Sequence, residues 1–442
     1  MATARLEDIA AAIVHQARKL GAAECDVTIT TRNAVETSVR LGQVEKLEGA
    51  QMRGLQFRAL CGAKGTKTAS SSTSDFGAKA LKQLVKDTIA TAEASEEDPY
   101  AGLPEPGDLA REYPDLGLFD PAVEKIPVET KISLAKEAEE VARGADPRIT
   151  NSEGASFSDS AGQIVHANSR GFLGSYHGSH VSLSVGVVAS QDDEMQVGGW
   201  WASNRSFDKL ESAPAIGLKA AERALRQLGS RKVKSQEVPV VFDPLMAARL
   251  IAQFIGAAAG SHINRKSSFL VDKLGQVVAS QGFNIIDDPL MAGRLGSHPF
   301  DSEGLPARTR TIIEEGRLVT YLLSSYAARR LHTRPNSGSL GNLYLQAGKE
   351  SPEEIIGSVK NGLYLTSVSG PGFKVITGDY SLGASGIWIE DGKLAYPVSG
   401  ITIASDMLSM FAGIEAIGND LVFRSSTASP TIKIGKMTVA GQ

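Results

Sequence analysis

Residues 25–30 read Cys-Asp-Val-Thr-Ile-Thr. Polar and apolar side chains alternate there, and Val27, Thr28, Ile29 and Thr30 are all β-branched. That pattern predicts a strand with one face turned to a core. Its surroundings set the fold class. Upstream, between Ala2 and Leu20, Leu6, Ile9, Ile13, Val14 and Ala17 recur near helical spacing. Arg5, Glu7, Asp8, His15, Arg18 and Lys19 fall between them. This reads as an amphipathic surface helix, because a signal-peptide core is not interrupted by charge in this way. Downstream, strand-like pieces follow at Ala34–Leu41, Gln43–Glu48 and Gln51–Leu60, punctuated by Gly42, Gly49, Gly62 and Gly65. A helix is predicted from about Phe76 to Ala94, with Leu81, Leu84, Val85 and Ile89 on one face and Ser74 or Asp75 as its cap.

The same order then returns. Pro99, Pro104, Pro106, Pro114 and Pro121 stand among acidic residues and mark a linker or a surface wrap. After it come a predicted helix over Val128–Ala142 and strands at Ile149–Ser158, Gln163–Ser169, Gly171–Ala189 and Glu194–Ser203. A helix from Phe207 to Leu228 closes the region. Gly42-Gln43-Val44 and Gly162-Gln163-Ile164 take matching turn positions in this reading. Helix, strands, helix, twice over, predicts a pseudo-duplicated region whose halves are candidates to share one sheet. From about Gln236 the pattern changes. A strand at Val238–Phe242 precedes a helix opened by Pro244, with Leu245, Met246, Leu250, Ile251, Phe254 and Ile255 as its apolar members. Short strands with Gly-rich turns follow, and Glu315-Gly316 and Asp391-Gly392 are strong hairpin turns. The expected class is α+β: an N-terminal helix/antiparallel-sheet region, then a β-rich barrel- or sandwich-like C-terminal domain. The expected divisions are 1–98, a Pro-rich acidic linker at 99–126, 127–232 and 233–442.

Composition narrows the chemistry. The 442 residues hold 45 glycines, about 10% against a usual ~7%, which agrees with many turns and bulges. Seven histidines and two cysteines, Cys25 and Cys61, exclude a disulfide scaffold and any zinc site built from several thiolates. A net charge of -4 argues against a general nucleic-acid binder. No apolar run of ~18 residues predicts a membrane span. A cytoplasmic protein with reduced thiols is the expectation.

The usual catalytic signatures are missing. No Walker A loop, Rossmann glycine pattern, Gly-x-Ser-x-Gly elbow or His-Glu-x-x-His helix occurs. His177 and His180 are three apart in a strand-like stretch, which puts them on opposite faces. His15, His166, His298 and His332 stand apart from one another in sequence, and each reads first as a structural residue.

Several C-terminal motifs carry a family resemblance. They are Asn264-Arg265-Lys266-Ser267-Ser268, Phe300-Asp301-Ser302-Glu303-Gly304-Leu305-Pro306 and Ile313-Glu314-Glu315-Gly316. Leu343-Tyr344-Leu345, Ser351-Pro352-Glu353-Glu354-Ile355-Ile356, Ile389-Glu390-Asp391-Gly392-Lys393, Tyr396-Pro397-Val398 and Ile417-Gly418-Asn419-Asp420 complete the set. Together they resemble the modulator-of-gyrase family that contains TldD and PmbA (TldE). The resemblance runs along essentially the whole chain. Its TldD-like branch implies a zinc protease whose His-Glu-x-x-x-His helix lies shortly before the Asn-Arg-Lys stretch, with a C-terminal Cys as third ligand. Counting back from Asn264 puts that motif on residues 252–257. Ala252 and Ala257 stand at the histidine positions, Gln253 at the general base, and no Cys follows Cys61.

The resemblance therefore implies the PmbA/TldE branch, without a zinc site, cofactor or catalytic residue of its own. Such a subunit pairs with a TldD-like catalytic subunit and holds unfolded or leader peptides. Gln253, His262, Asn264, Arg265, Asp301 and Glu303 are the groove candidates. Two rival readings are a stand-alone metallopeptidase with atypical ligands and a non-enzymatic protein-binding modulator of DNA gyrase. Self-association as a homodimer is a further arrangement the resemblance leaves open.

Overall fold

The alternating stretch at residues 25–30 belongs to a single strand of 17 residues in the computed structural model, which describes residues 5–62 and 65–441. Ala2, Thr3 and Ala4, where the first helix was expected to begin, lie outside the described residues. α1 (Leu6–Lys19) leads into β1 (Glu24–Arg40), β2 (Gln43–Cys61) and β3 (Lys67–Thr73), and α2 (Ala78–Ala94) follows. The second half runs α3 (Val128–Gly144), β4 (Ile149–Asn168), β5 (Leu173–Gln191), β6 (Glu194–Asn204) and α4 (Ala213–Leu225). The six strands form one antiparallel sheet in the order β3-β2-β1-β4-β5-β6. At its centre β1 pairs with β4, from Asp26↔Asn168 to Val39↔Ala155. The two halves meet along that seam.

Alternation then decides the layers. Odd-numbered residues of β4 serve two apolar clusters at once. Val165 and Ala167 pack with Ile13 of α1 and Val85 of α2, while Ala155 and Phe157 pack with Ala138 of α3 and Ile216 of α4. The helices thus cover one face, and the other face is left for a cavity.

Three local expectations fail. Gly49 does not separate two strands but lies inside β2 opposite Val35. Gly162 is no turn: it lies inside β4 opposite Arg32. A Cβ built there would meet the Thr31 carbonyl oxygen at 2.0 Å, so close backbone approach is what requires glycine. Ser74 and Asp75 do not cap α2 either. Gly77 is the N-cap residue, and Asp75 Oδ1 accepts the Gly77 N–H at 2.8 Å in a local turn that competes with capping.

The proline-rich stretch wraps the surface. Leu103, Leu109, Leu116 and Leu118 are buried beneath it. β7 (Gln236–Phe242) opens the C-terminal region, followed by α5 (Pro244–Gly256) and α6 (Gly260–Asn264). β8 (Ile285–Asp287), β9 (Arg310–Glu314), β10 (Arg317–Leu318), α7 (Ser325–Arg330), β11 (Leu343–Leu345) and α8 (Pro352–Gly357) come next. Last are β12 (Asn361–Ser369), β13 (Asp379–Glu390), β14 (Lys393–Asp406), α9 (Met407–Ala412), β15 (Ile414–Ile417), β16 (Thr427–Ala428) and β17 (Ile432–Ala440). One small sheet takes the order β10-β9-β8-β11-β16. The larger one runs β14-β13-β12-β7-β17, and β17 pairs back onto β14 through Ile403↔Val439. That pairing closes a five-stranded barrel, the barrel alternative of the sequence reading. Both hairpin turns appear where Glu315-Gly316 and Asp391-Gly392 predict them, with positive φ at all four residues. No helix among the described residues is long and apolar enough to cross a membrane.

The helix layer is also tied to the sheet by charge. Lys131 Nζ of α3 lies 2.5 Å from Asp159 Oδ2 of β4, and both side chains are almost fully buried. Burial pushes the Asp159 carboxyl up, and the ammonium beside it opposes that. Lys131→Ala strands a buried carboxylate and is expected to lower stability by roughly 3–5 kcal/mol, whereas replacing both partners by Met and Leu costs far less. Urea unfolding midpoints of the three proteins check this.

Candidate functional site

Asp243 starts the helix on which the resemblance places the lost motif. Its side chain accepts the Met246 N–H at 2.8 Å, and Pro244 fits the first turn because its missing N–H would have no partner there. The helix α5 is two-sided. Leu250, Ile251, Phe254 and Ile255 are fully buried, and Phe254 stacks on Phe411 with centroids 4.0 Å apart. Met246, Arg249 and Ala252 face a cleft of about 840 Å³ instead. The C-terminal end of α4, strand β6 and residues of β12 form its other walls. Burial pushes the Asp243 carboxyl up against the pull of Arg223 and Arg226, and it pushes the Tyr364 phenol up to about 12. Burial likewise lowers the Arg226 guanidinium, with Arg223 adding to the effect.

The other groove candidates are scattered. Ala257 is fully buried after α5, and Gln253 Oε1 is buried with no hydrogen-bond partner. His262 on α6 has Nδ1 3.4 Å from Ser267 Oγ, Asn264 Nδ2 is buried and unpartnered, and Arg265 is exposed. Asp301 Oδ1 accepts the Glu303 and Leu305 N–H groups, both at 2.9 Å, which organises its own turn. Glu303 Oε2 accepts the Ser325 N–H at 2.8 Å, and burial pushes this carboxyl up. Of these candidates, Ala252 lines the cleft beside α5 and Asp301 lines a second cavity. Gln253, His262, Asn264, Arg265 and Glu303 line neither.

The second cavity, about 780 Å³, lies on the helix-free face of the large sheet. Even-numbered residues of β1, β4 and β5 point into it, among them Thr28, His166, Tyr176 and His180. His177 is on the opposite face, as its odd separation from His180 requires. His166 Nδ1 is 2.9 Å from Thr28 Oγ1. Burial lowers the pKa of both His166 and His180, with Arg205 and Arg32 adding to the effect on His180. Arg205 is held by the carbonyls of Ser179, Arg294 and Leu295 at 3.3, 3.3 and 2.8 Å. Both cysteines are buried free thiols, and burial pushes Cys25 up to about 12, out of nucleophile range.

Comparison with known proteins now places the chain. Residues 25–92, 121–228 and 235–441 match domain 1, the central domain and the C-terminal domain of the PmbA/TldA metallopeptidases. A metalloprotease PmbA homolog of Haemophilus influenzae is 35% identical over 431 residues, 97% of this chain and 94% of that protein. Metalloprotease PmbA of Escherichia coli O157:H7 is 34% identical over 419 residues, 94% and 92% of the two chains. The chain belongs to the PmbA/TldD metallopeptidase family. Among solved structures, a modulator of DNA gyrase from Bacteroides thetaiotaomicron superposes with a TM-score of 0.94 at 28% identity, covering 100% of both chains. TldE of Thermococcus kodakarensis gives 0.86 at 19% identity, covering 98% of this chain and 100% of its own, a likeness of fold alone.

The metal for which the family is named does not fit the residues of α5. Ala252 and Ala257 have no donor atoms, and Gln253 cannot accept a proton as a carboxylate does. Among the described residues no three His, Cys, Asp or Glu side chains gather closely enough to hold an ion. The features that sequence reasoning missed are basic and aromatic: Trp200, Arg223, Arg226, Arg249 and Arg424 converge on the cleft. Arg223 and Arg226, three apart at the end of a helix, were the readable signal.

The buried histidines give a pH dependence with a definite sign. Their folded-state pKa values lie below the ordinary 6.5, so as pH falls through that value the unfolded chain takes up protons the folded chain refuses. Stability contributed by neutral His166 and His180 is complete above that value and is lost below it. His166→Gln is expected to flatten the drop in urea midpoint between pH 7.5 and pH 5.5, roughly a one-unit window on either side of an ordinary histidine.

Proposed function

We propose that this chain is a PmbA/TldE-type subunit without a zinc site, which pairs with a TldD-like zinc subunit and holds unfolded or leader peptide for it. One observation carries the reading. The helix that faces the cleft presents Ala252 there, and the positions the resemblance assigns to ligand and base chemistry hold Ala252, Gln253 and Ala257. The cleft itself supports a peptide-holding role. β6 is an edge strand of the large sheet, and Val197 to Trp201 run along the cleft wall. An edge strand offers unpaired backbone groups to which an extended peptide adds as another strand.

Co-expression with a TldD-like subunit that carries an intact His-Glu-x-x-x-His helix tests this. The pair is expected to co-purify and to cleave an unfolded peptide faster than the zinc subunit alone. The chain by itself is expected to bind no stoichiometric zinc and to cleave nothing. Absence of a complex together with unchanged partner activity would refute the proposal, and stoichiometric zinc with peptidase activity in the lone chain would replace it.

A further inference from the structure

We propose that the cleft beside α5 is a carboxylate-binding site that selects acidic segments of extended peptide. The proposal rests on the peptide-holding reading above and names the chemistry of the peptide. Its basis is an imbalance of charge. Lys219, Arg223, Arg226, Arg249 and Arg424 line the cleft, against the two carboxylates Asp243 and Asp420. Those two carboxylates are already engaged. Asp243 caps α5, and Asp420 accepts from Thr431 N at 2.9 Å and Thr431 Oγ1 at 2.8 Å.

Some of the cations are answered from outside the cleft lining. Lys219 pairs with Glu222 at 2.7 Å and Arg424 with Glu211 at 3.1 Å. Arg223 has Asp243 at 3.7 Å. Arg226 and Arg249 have no carboxylate at ion-pair distance among the described residues. Arg249 is held by the Val368 carbonyl at 3.1 Å, which fixes its direction without cancelling its charge. Arg226 Nε is buried and makes no hydrogen bond, an arrangement that an incoming acceptor would relieve. A guanidinium whose charge no carboxylate answers suits a planar carboxylate, which accepts two parallel N–H bonds from its fork.

The walls favour polypeptide over a free anion or a nucleic acid. Trp200 lies under Arg223 and Arg424, with guanidinium carbons 5.3 and 4.4 Å from its ring, so it fixes their heads and adds an apolar surface. Beside it runs the edge strand β6, with Val197 57% exposed and its carbonyl accepting from Gln227 Nε2 at 3.2 Å, a bond that an incoming strand would replace. Main-chain pairing along that edge matches an extended peptide.

The test is a fluorescence titration of the full chain without any partner. Trp200 and Trp201 line the cleft, whereas Trp388 is buried elsewhere with its Nε1–H on Asn361 Oδ1. The probes are a disordered peptide with Asp and Glu side chains and an amidated C-terminus, its Asn/Gln isostere with a free C-terminal carboxylate, and that isostere amidated. An oligo-thymidylate is the fourth probe. At least one carboxylate-bearing peptide is expected to bind roughly tenfold or more tighter than the fully amidated isostere, and which one does so tells side-chain from terminal carboxylate. Arg226→Gln and Arg249→Gln are each expected to cut that preference about tenfold, while Arg249→Lys retains part of it. The isostere comparison uses the unmodified chain, so it stands whether or not a variant folds. Equal affinity for the amidated isostere, no saturable change with any peptide, tighter binding of the oligo-thymidylate, or an unaltered preference in both folded glutamine variants would overturn the proposal. A chain that captures a TldD-like subunit yet treats the peptides alike overturns this proposal alone.

Discussion

The pairing of β1 with β4 is the contact on which the rest of the N-terminal region depends. Among the described residues it is the only strand pair that crosses from one half to the other in the sheet order. Because side chains alternate strictly, this one register fixes what both faces carry. Val27, Ile29, Val165 and Ala167 go under the helices together, so Thr28, His166 and their neighbours go to the cavity together. A slip of one residue would put Thr28 and His166 into an apolar layer and expose the core. Gly162 belongs to the same constraint. The backbone of β1 comes so close at Thr31 that no side chain fits between the two strands there.

Arginines that bond carbonyl oxygens join the N-terminal region to the C-terminal region, beside the aromatic contact of Phe172 with Phe300. Arg329 of α7 donates to the carbonyls of Tyr100, Gly102 and Leu103 at 2.6, 2.9 and 3.2 Å, which pins the start of the proline-rich wrap. Arg205 does the same between β5 and the loop before His298. The rigid fork of a guanidinium suits this use, since several donors are spent on fixed acceptors at once. A carbonyl carries no net charge, however. Each such clasp leaves a positive charge at the junction of the two regions, and in the cleft Arg223 on the Thr366 carbonyl and Arg249 on the Val368 carbonyl make the same kind of contact.

Much of this architecture was legible in the chain because period and turn chemistry are local. The twice-repeated order of helix, strands and helix gave the pseudo-duplication. Glu315-Gly316 and Asp391-Gly392 gave two hairpins through the positive φ that their turns need. The errors came where a local signal has two uses. Gly162 was read as a turn, whereas its conformation is extended and its small size serves packing. Ser74 or Asp75 reads as a cap, whereas Gly77 takes that position and Asp75 bonds the Gly77 N–H in a tighter local turn. The five-stranded barrel closes through Thr402↔Ala440 and its neighbours, a pairing of the last strand with one that begins at Lys393. Nothing short-range announces such a closure. The cleft was hidden for the same reason, since Trp200, Arg223, Arg249 and Arg424 come from four separate stretches of chain.

The division of α5 into two faces explains how the helix keeps its place with alanine at positions 252 and 257. Its fold-determining half consists of Leu250, Ile251, Phe254 and Ile255, which share one cluster with Val240 and Leu363 of the barrel. Truncating any of these would open a cavity in close-packed surroundings and cost about 2–5 kcal/mol. On its cleft side Met246 still packs against that cluster, Ala252 is half-buried and Arg249 is exposed, so Arg249 is the position there with least part in the core. Ala252 in particular fills no core space that a histidine would have to vacate. The helix, the barrel and the cleft therefore persist as a scaffold when the ligands are absent. In this chain the cleft side of that scaffold carries the Arg249 guanidinium one turn before Ala252.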